Sequence, residues 1–316
     1  MRILEAEMNE DIAGMSNDMD VHTTAQRDGI SRRGLLSHTA AGAISAGALG
    51  LAATAEAATP AAPKEAAKKT MDLSVFKKLN YERPPVGVKF LLTKPEGLRK
   101  LDEKVAFCEM LKVAQVSPPF YATVDNHECA AGAILLGMSP TNPVFEAGYV
   151  GPKLGVYEDA RANRRIYDNV SRLEHGTVNY IAYSSLDKLN FDPDLLILMG
   201  TASQAEIVLR AAGYRTGFTW NAKGTLVLGC AWLYTYPYVK GEINMMVTGL
   251  HHGMRARQLF PEGQIMLSLP FNVLPSVVDN LSVMEWDLPQ YHWGKEAHLK
   301  RMKDIAAEVK AEVDRK

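Results

Sequence analysis

The sequence predicts an α/β (or α+β) fold: a mixed sheet flanked by helices, with an amphipathic helix at the C-terminus. Three observations carry that expectation. Residues 192–200, DPDLLILMG, are wholly apolar after Asp194, as suits a strand buried on both faces. The next stretch, TASQAEIVLRAAGYRTG, opens on Thr201 and Ser203, either able to cap a helix that Gly213 ends. Near the C-terminus Leu299, Met302, Ala306, Val309 and Val313 recur at steps of three and four, the period of one helical face, with charge on the other side.

The elements follow in chain order. Residues 31–37, SRRGLLS, put Arg32 and Arg33 ahead of a weakly apolar stretch from Leu35 to about Ala53, and Ala55-Glu56-Ala57 fits a small-x-small cleavage site. Basic region, modest apolar region and cleavage site are the layout of a secretory signal, and the paired arginines point to the twin-arginine route. Met15 or Met19 also serves as a possible start. Ser37, His38, Thr39, Ser45 and several glycines make the stretch a poor membrane span. The expected organisation is a twin-arginine signal at 1–57, an Ala/Pro/Lys linker at 58–71, one α/β domain at 72–290 and a C-terminal helix at 291–316. Cleavage near Ala57 leaves the mature chain periplasmic or otherwise extracytoplasmic, with the twin-arginine translocon as a partner during export.

Within the domain, 72–80 reads as a short helix and 84–92, PPVGVKFLL, as a buried strand. Residues 104–115 read as a helix with Val105, Cys108, Leu111 and Val113 near helical spacing, which puts Cys108 on its inner face. Residues 120–124 read as a strand. Residues 129–137, CAAGAILLG, read as a helix stopped by Gly137 and Pro140, with Cys129 at or beside its N-terminus. Strands are expected at 177–186, 192–200, 224–230 (GTLVLGC, ending at Cys230), 242–249 and 264–270, and a helix over FNVLPSVVDNL behind the last of them.

Composition excludes several function classes. The 316 residues carry a formal net charge of −1. The segment before Ala57 holds four basic and eight acidic residues, so the remainder is only slightly basic. With no basic stripe interleaved with aromatics, nucleic acid is not an expected partner. No solenoid repeat, GxxxxGK[ST], GxGxxG or CxxCH occurs. Ser203 has no nucleophile-elbow context.

The three cysteines, Cys108, Cys129 and Cys230, are the remaining chemistry. They form no CxxC pair, so spacing alone favours three buried structural thiols, with one disulfide plus a free thiol as another reading. Position points the other way. A helix N-terminus offers unpaired N–H groups and a positive dipole end to the Cys129 thiolate, the form that binds metal. A strand end such as that expected at Cys230 is where α/β folds place ligands. His127, His251 and His252 are candidates to complete a soft site, with His127 read as a neighbour rather than a ligand. Glu109 and Glu128 each adjoin a cysteine. WLYTYPY, residues 232–238, reads as an aromatic wall of the core, and Met245-Met246 as packing. A second candidate site is the strand-end crevice, where Gly200 to Gln204 offer backbone N–H groups and Arg255 a counter-charge to a small-molecule ligand.

A set of motifs in fixed order carries a resemblance. PPVGVKFL is followed by a cysteine on a helix, then Cys129-x-x-Gly132 before an apolar helix ending in Gly. PDLLILMGTASQAEIVLRAAGY comes next, then Gly229-Cys230, then Gly253-x-Arg255 ahead of a Glu-to-Pro stretch. In this order the chain resembles the uncharacterised family called domain of unknown function 169, over roughly residues 73–285. Pro193, Asp194, Gly200, Gln204 and Ala205 are the most recognisable matches. Members usually carry cysteines at the places of Cys108, Cys129 and Cys230. Many have one more shortly before the G-x-R, where this chain has Leu250, His251 and His252. The resemblance implies that the three cysteines form one site, with His251 or His252 in place of the missing cysteine or the fourth position open. Members are common in anaerobes, which suits an oxygen-sensitive iron–sulfur cluster. The expected function is therefore an exported redox or metal-binding protein. A [4Fe–4S] cluster would be held by Cys108, Cys129 and Cys230, with His251 as candidate fourth ligand and an electron-transfer partner implied. The alternative is a cofactor-free periplasmic binding module with its ligand in the strand-end crevice.

Overall fold

A single seven-stranded sheet organises the chain, here as a computed structural model that describes residues 70–315. The signal expected at 1–57 and most of the linker expected at 58–71 lie outside the described residues. The strands are β1 (Val86–Leu91), β2 (Arg99–Lys100), β3 (Phe120–Ala122), β4 (Tyr180–Ser185), β5 (Leu195–Gly200), β6 (Asn244–Val247) and β7 (Ile265–Pro270). Their order across the sheet is β2-β3-β4-β1-β5-β7-β6. β2 and β3 run parallel and the other neighbours antiparallel, so the sheet is mixed, as the sequence predicts.

β1 and β5 sit at the centre, and every residue of β5 is buried. Its side chains alternate between two cores. Leu195, Ile197 and Met199 face one, Leu196 and Leu198 the other. That two-sided burial is why the run carries no polar alternation. Asp194 starts the strand, and its carboxylate accepts the Phe90 N–H at 2.7 Å, clamping β5 to β1.

One face is covered by regular elements. A 3₁₀ turn at Ser74–Leu79 supplies Val75, Phe76 and Leu79. The helix Ala202–Gly213 supplies Ala205, Val208, Leu209 and Ala211, and the helix Leu274–Val283 supplies Leu274, Val277 and Leu281. Thr201 caps the first helix, with Gln204 returning the bond in a capping box.

The other face is less regular. It carries α1 (Phe107–Val116) and α2 (Ala130–Leu135), together with a π-helical turn at Ala231–Thr235 that continues into Tyr236–Lys240. The π turn has a local cause. Pro237 has no N–H to give the Leu233 carbonyl, which instead accepts the Ser268 hydroxyl at 2.7 Å. The Trp232 carbonyl accepts the Asn244 side-chain amide at 2.9 Å. Trp232, Tyr234 and Tyr236 are buried, so the 232–238 aromatics do form a core wall.

Two sequence expectations need correction. Residues 224–230 are not a strand. Leu228 has φ +60°, a left-handed conformation that no ladder accepts. The segment before it hangs on β6 by the Asn244 side chain, which bonds the Lys223 N–H and carbonyl, both at 2.9 Å. Cys230 therefore opens a helical segment rather than ending a strand. In α1 the buried face is Phe107, Met110, Leu111 and Ala114, so Val105 lies before the helix and Val113 beside its core stripe. The C-terminal helix Lys295–Val313 forms as expected but buries none of its residues among the described ones. Its apolar stripe stays in the open, with Leu299 and Met302 about half exposed.

Candidate thiol site

The three cysteines all stand at starts of helical segments, and backbone pairing brings those starts together. Cys108 is the second residue of α1, Cys129 is the N-cap of α2, and Cys230 immediately precedes the π turn. The strands of chain leading into α1 and α2 pair directly. Val105 N–H donates to the Asn126 carbonyl at 2.9 Å, and Glu128 N–H to the Val105 carbonyl at 3.1 Å. Asn126 is buried, and its amide secures the Leu101 and Glu103 carbonyls at 2.8 and 3.0 Å.

Phe107 is where the three segments meet. Its ring lies against α2 so closely that a Cβ at Gly132 would collide with it, which is why that helix has glycine there. The same ring stacks on His127, with centroids 3.5 Å apart and planes 12° from parallel. Its carbonyl accepts the Tyr234 hydroxyl, from the segment that Cys230 opens, at 3.1 Å.

Burial dominates the electrostatics. It pushes the Cys108 thiol up to about 11, and the neighbouring Cys129 adds to the shift. Arg257 and the N–H groups of Cys108 and Glu109 act against it. Burial also pushes Cys230 well above the ordinary thiol range, with Cys129 and Cys108 adding to it. Each of these neighbours disfavours a second thiolate beside the first. Tyr167 is raised by burial and by Cys230 and Cys129, so its phenol borders the same space. Over the half-exposed side, Arg257 Nη1 reaches Glu128 at 3.0 Å and Glu109 at 3.7 Å, tying together the carboxylates that adjoin Cys129 and Cys108.

The two candidate histidines differ in what surrounds them. His251 caps the helix His252–Ala256, its Nδ1 facing the Met254 N–H at 3.3 Å. Its Nε2 faces the Gly229 N–H at 2.5 Å. A Cβ on Gly229 would lie 2.6 Å from the His251 ring, so this contact requires glycine just before Cys230. His127 is 6% exposed, and neither of its nitrogens has a partner among the described residues.

Gly200 and Gln204 are committed to structure. The Gln204 side chain accepts the Thr201 N–H at 2.8 Å and donates to the Leu79 carbonyl at 2.8 Å, while Gly200 packs under Gln204 and Tyr81. Arg255 pairs with Glu262 at 3.1 Å. Arg257 and Phe107 were not among the sequence candidates, and His127 was read as a neighbour of Cys129 rather than a ligand. The Phe-Cys sequence was the available signal for Phe107, and nothing in the sequence marks Arg257.

The donor chemistry fits a soft centre: three thiols in a largely apolar space beside an unpartnered imidazole. Among the described residues no group of three or more His, Cys, Asp or Glu side chains is placed to hold a metal ion.

Comparison with known proteins agrees with the motif order. A family model described as "Uncharacterised ArCR", domain of unknown function 169, matches residues 75–280. The chain belongs to this family. An uncharacterised protein of Methanocaldococcus jannaschii is 29% identical over 220 residues, covering 67% of this chain and 91% of that relative. No solved structure matches. Within the domain of unknown function 169 match lie all three cysteines, His127 and His251.

Proposed function

We propose that this family member is an exported redox or metal-binding protein that holds an iron–sulfur cluster, of the [4Fe–4S] type, through Cys108, Cys129 and Cys230. The observation that carries the reading is that Cys108, Cys129 and Cys230 all stand at starts of helical segments packed about Phe107, in one largely buried region. Burial alone makes thiolates costly there. A cationic centre reverses that cost, and a cluster would lock the three segments together while the protons leave. Backbone N–H groups of Cys108 and Glu109 favour the Cys108 thiolate, and those of Cys230 and Ala231 the Cys230 thiolate, and hydrogen bonds to sulfur tune a cluster's potential. The Arg32-Arg33 signal supports periplasmic placement, since the twin-arginine route carries proteins folded around their cofactors. An electron-transfer partner follows from the redox role.

The experiment is anaerobic purification with iron and acid-labile sulfide analysis. The wild-type protein should be brown, absorb near ~400 nm and bleach in air. Cys129→Ser should lose the colour and most of the iron. A colourless wild-type protein without iron would sink the reading.

The cofactor-free binding reading keeps one supporting observation. A cavity of about 340 Å³ lies at the opposite core, lined by Ala212, Arg215, Phe218, Ile243, Ser276 and Asn280. That volume suits a small ligand. It lies away from the crevice at Gly200, Gln204 and Arg255.

A further inference from the structure

The geometry points to His127, and not His251, as the fourth protein ligand of the proposed centre. This rests on the cluster reading above and extends it to a residue that the sequence set aside.

The two imidazoles are opposite cases. At His251 a backbone N–H occupies the in-plane approach to each ring nitrogen, from Met254 on one side and Gly229 on the other. A neutral imidazole accepts at only one nitrogen, but both approaches are filled whichever one carries the proton. Turning His251 toward a metal would uncap its helix and remove the contact that seats Gly229 beside Cys230. His251 is a positioning residue for that cysteine.

His127 has no such employment. Its ring is 6% exposed and both nitrogens are without a partner among the described residues. Buried polar groups are paired in the great majority of cases, and an idle one calls for a reason. Its position supplies the reason. His127 stands two residues before Cys129, bridged to Val105, which stands three before Cys108. Its face lies flat on Phe107, the residue preceding Cys108. The stack fixes the ring plane without using either nitrogen, as supporting contacts do for metal-bound histidines. Imidazole ligation in place of a thiolate also raises a cluster's potential, so the centre would be a milder reductant than an all-cysteine one.

The test uses the full-length chain purified without oxygen, with His127→Phe and His251→Gln as variants. Phenylalanine keeps the stack and removes both idle nitrogens, so metal-free His127→Phe should melt at or above the wild-type temperature. Pulsed electron paramagnetic resonance of the reduced cluster should show imidazole nitrogen coupling in the wild type and in His251→Gln. The coupling should be gone in His127→Phe, with a lower reduction potential or less iron per chain. Coupling that survives in His127→Phe, or a wild-type cluster with no nitrogen coupling, overturns the assignment and leaves the cluster standing. A wild-type chain that takes up neither iron nor sulfide overturns the cluster reading and this assignment together.

Discussion

The two faces of the sheet are built to different standards. On the face covered by Ser74–Leu79, Ala202–Gly213 and Leu274–Val283, the helices follow local rules, though Tyr81 Oη and Asn280 Oδ1 are buried without a partner among the described residues. A capping box starts one helix, proline sits in the first turn of the other, and the side-chain amide of Asn280 ties them at 2.8 Å to the Ala211 carbonyl. On the thiol face local rules break one after another: a leucine in left-handed conformation, a π turn, a buried imidazole without partners, and thiols that burial holds in the neutral form at Cys108 and Cys230. Each carries a stability cost, and departures of this kind cluster where function has overridden packing. The regular face is a foundation, and the irregular one carries the proposed site.

The sharpest way to break that comparison is a deletion on the regular face. Leu198 is 1% exposed in the core away from the thiols. Leu198→Ala should lower stability by about 2–5 kcal/mol, through lost burial plus the cavity left behind. Urea unfolding measures it. At low denaturant the folded variant should keep the wild-type count of alkylatable thiols. A changed thiol count would mean that the two faces are one cooperative site.

A smaller effect is expected from Gly132→Ala on the thiol face. The new methyl meets the Phe107 ring, and α2 must move away from α1. The stability loss should be about 1–3 kcal/mol, the usual cost of overpacking. Unlike Leu198→Ala, it should also speed alkylation of Cys108 and Cys129 in the metal-free protein, because these two helix starts separate. Equal alkylation rates in both variants would remove Phe107 from its role as the shared contact.

The same division decided what could be read from the chain. The β5 run and its following helix were legible because their determinants are local: a wholly apolar stretch, Asp194 before it, Thr201 and Gln204 after it. The three cysteines could be named but not gathered, since only folded segments bring residues 108, 129 and 230 together. GTLVLGC looked like a strand because its composition is strand-like. Its conformation is set from outside, by the Asn244 amide and by His251, which bonds Gly229 across 22 residues. The sequence set His251 ahead of His127 without access to what separates them, which is whether distant backbone amides face their nitrogens. The C-terminal helix shows the converse. Its period was plain, yet none of its residues is buried among the described ones, because periodicity reports a face and not what covers it.

The smallest predicted effect tests whether the thiol face is organised for charge as well as for shape. Arg257 bridges Glu109 and Glu128 on the surface, about two-fifths exposed, so the ion pairs themselves contribute little to stability. Arg257→Ala should leave the unfolding free energy within about 1 kcal/mol of wild type. Its effect on Cys108 should be separable, because the guanidinium opposes the burial that holds this thiol at about 11. Without that cation the thiolate loses its nearest favourable charge while both carboxylates remain, so the midpoint of the Cys108 alkylation profile should move to higher pH. Absolute rates mix this shift with the easier access left by a smaller side chain, whereas the midpoint does not. A midpoint that stays put would make Arg257 a tie between two carboxylates and nothing more, and the polarity of the site would then rest on its backbone N–H groups alone.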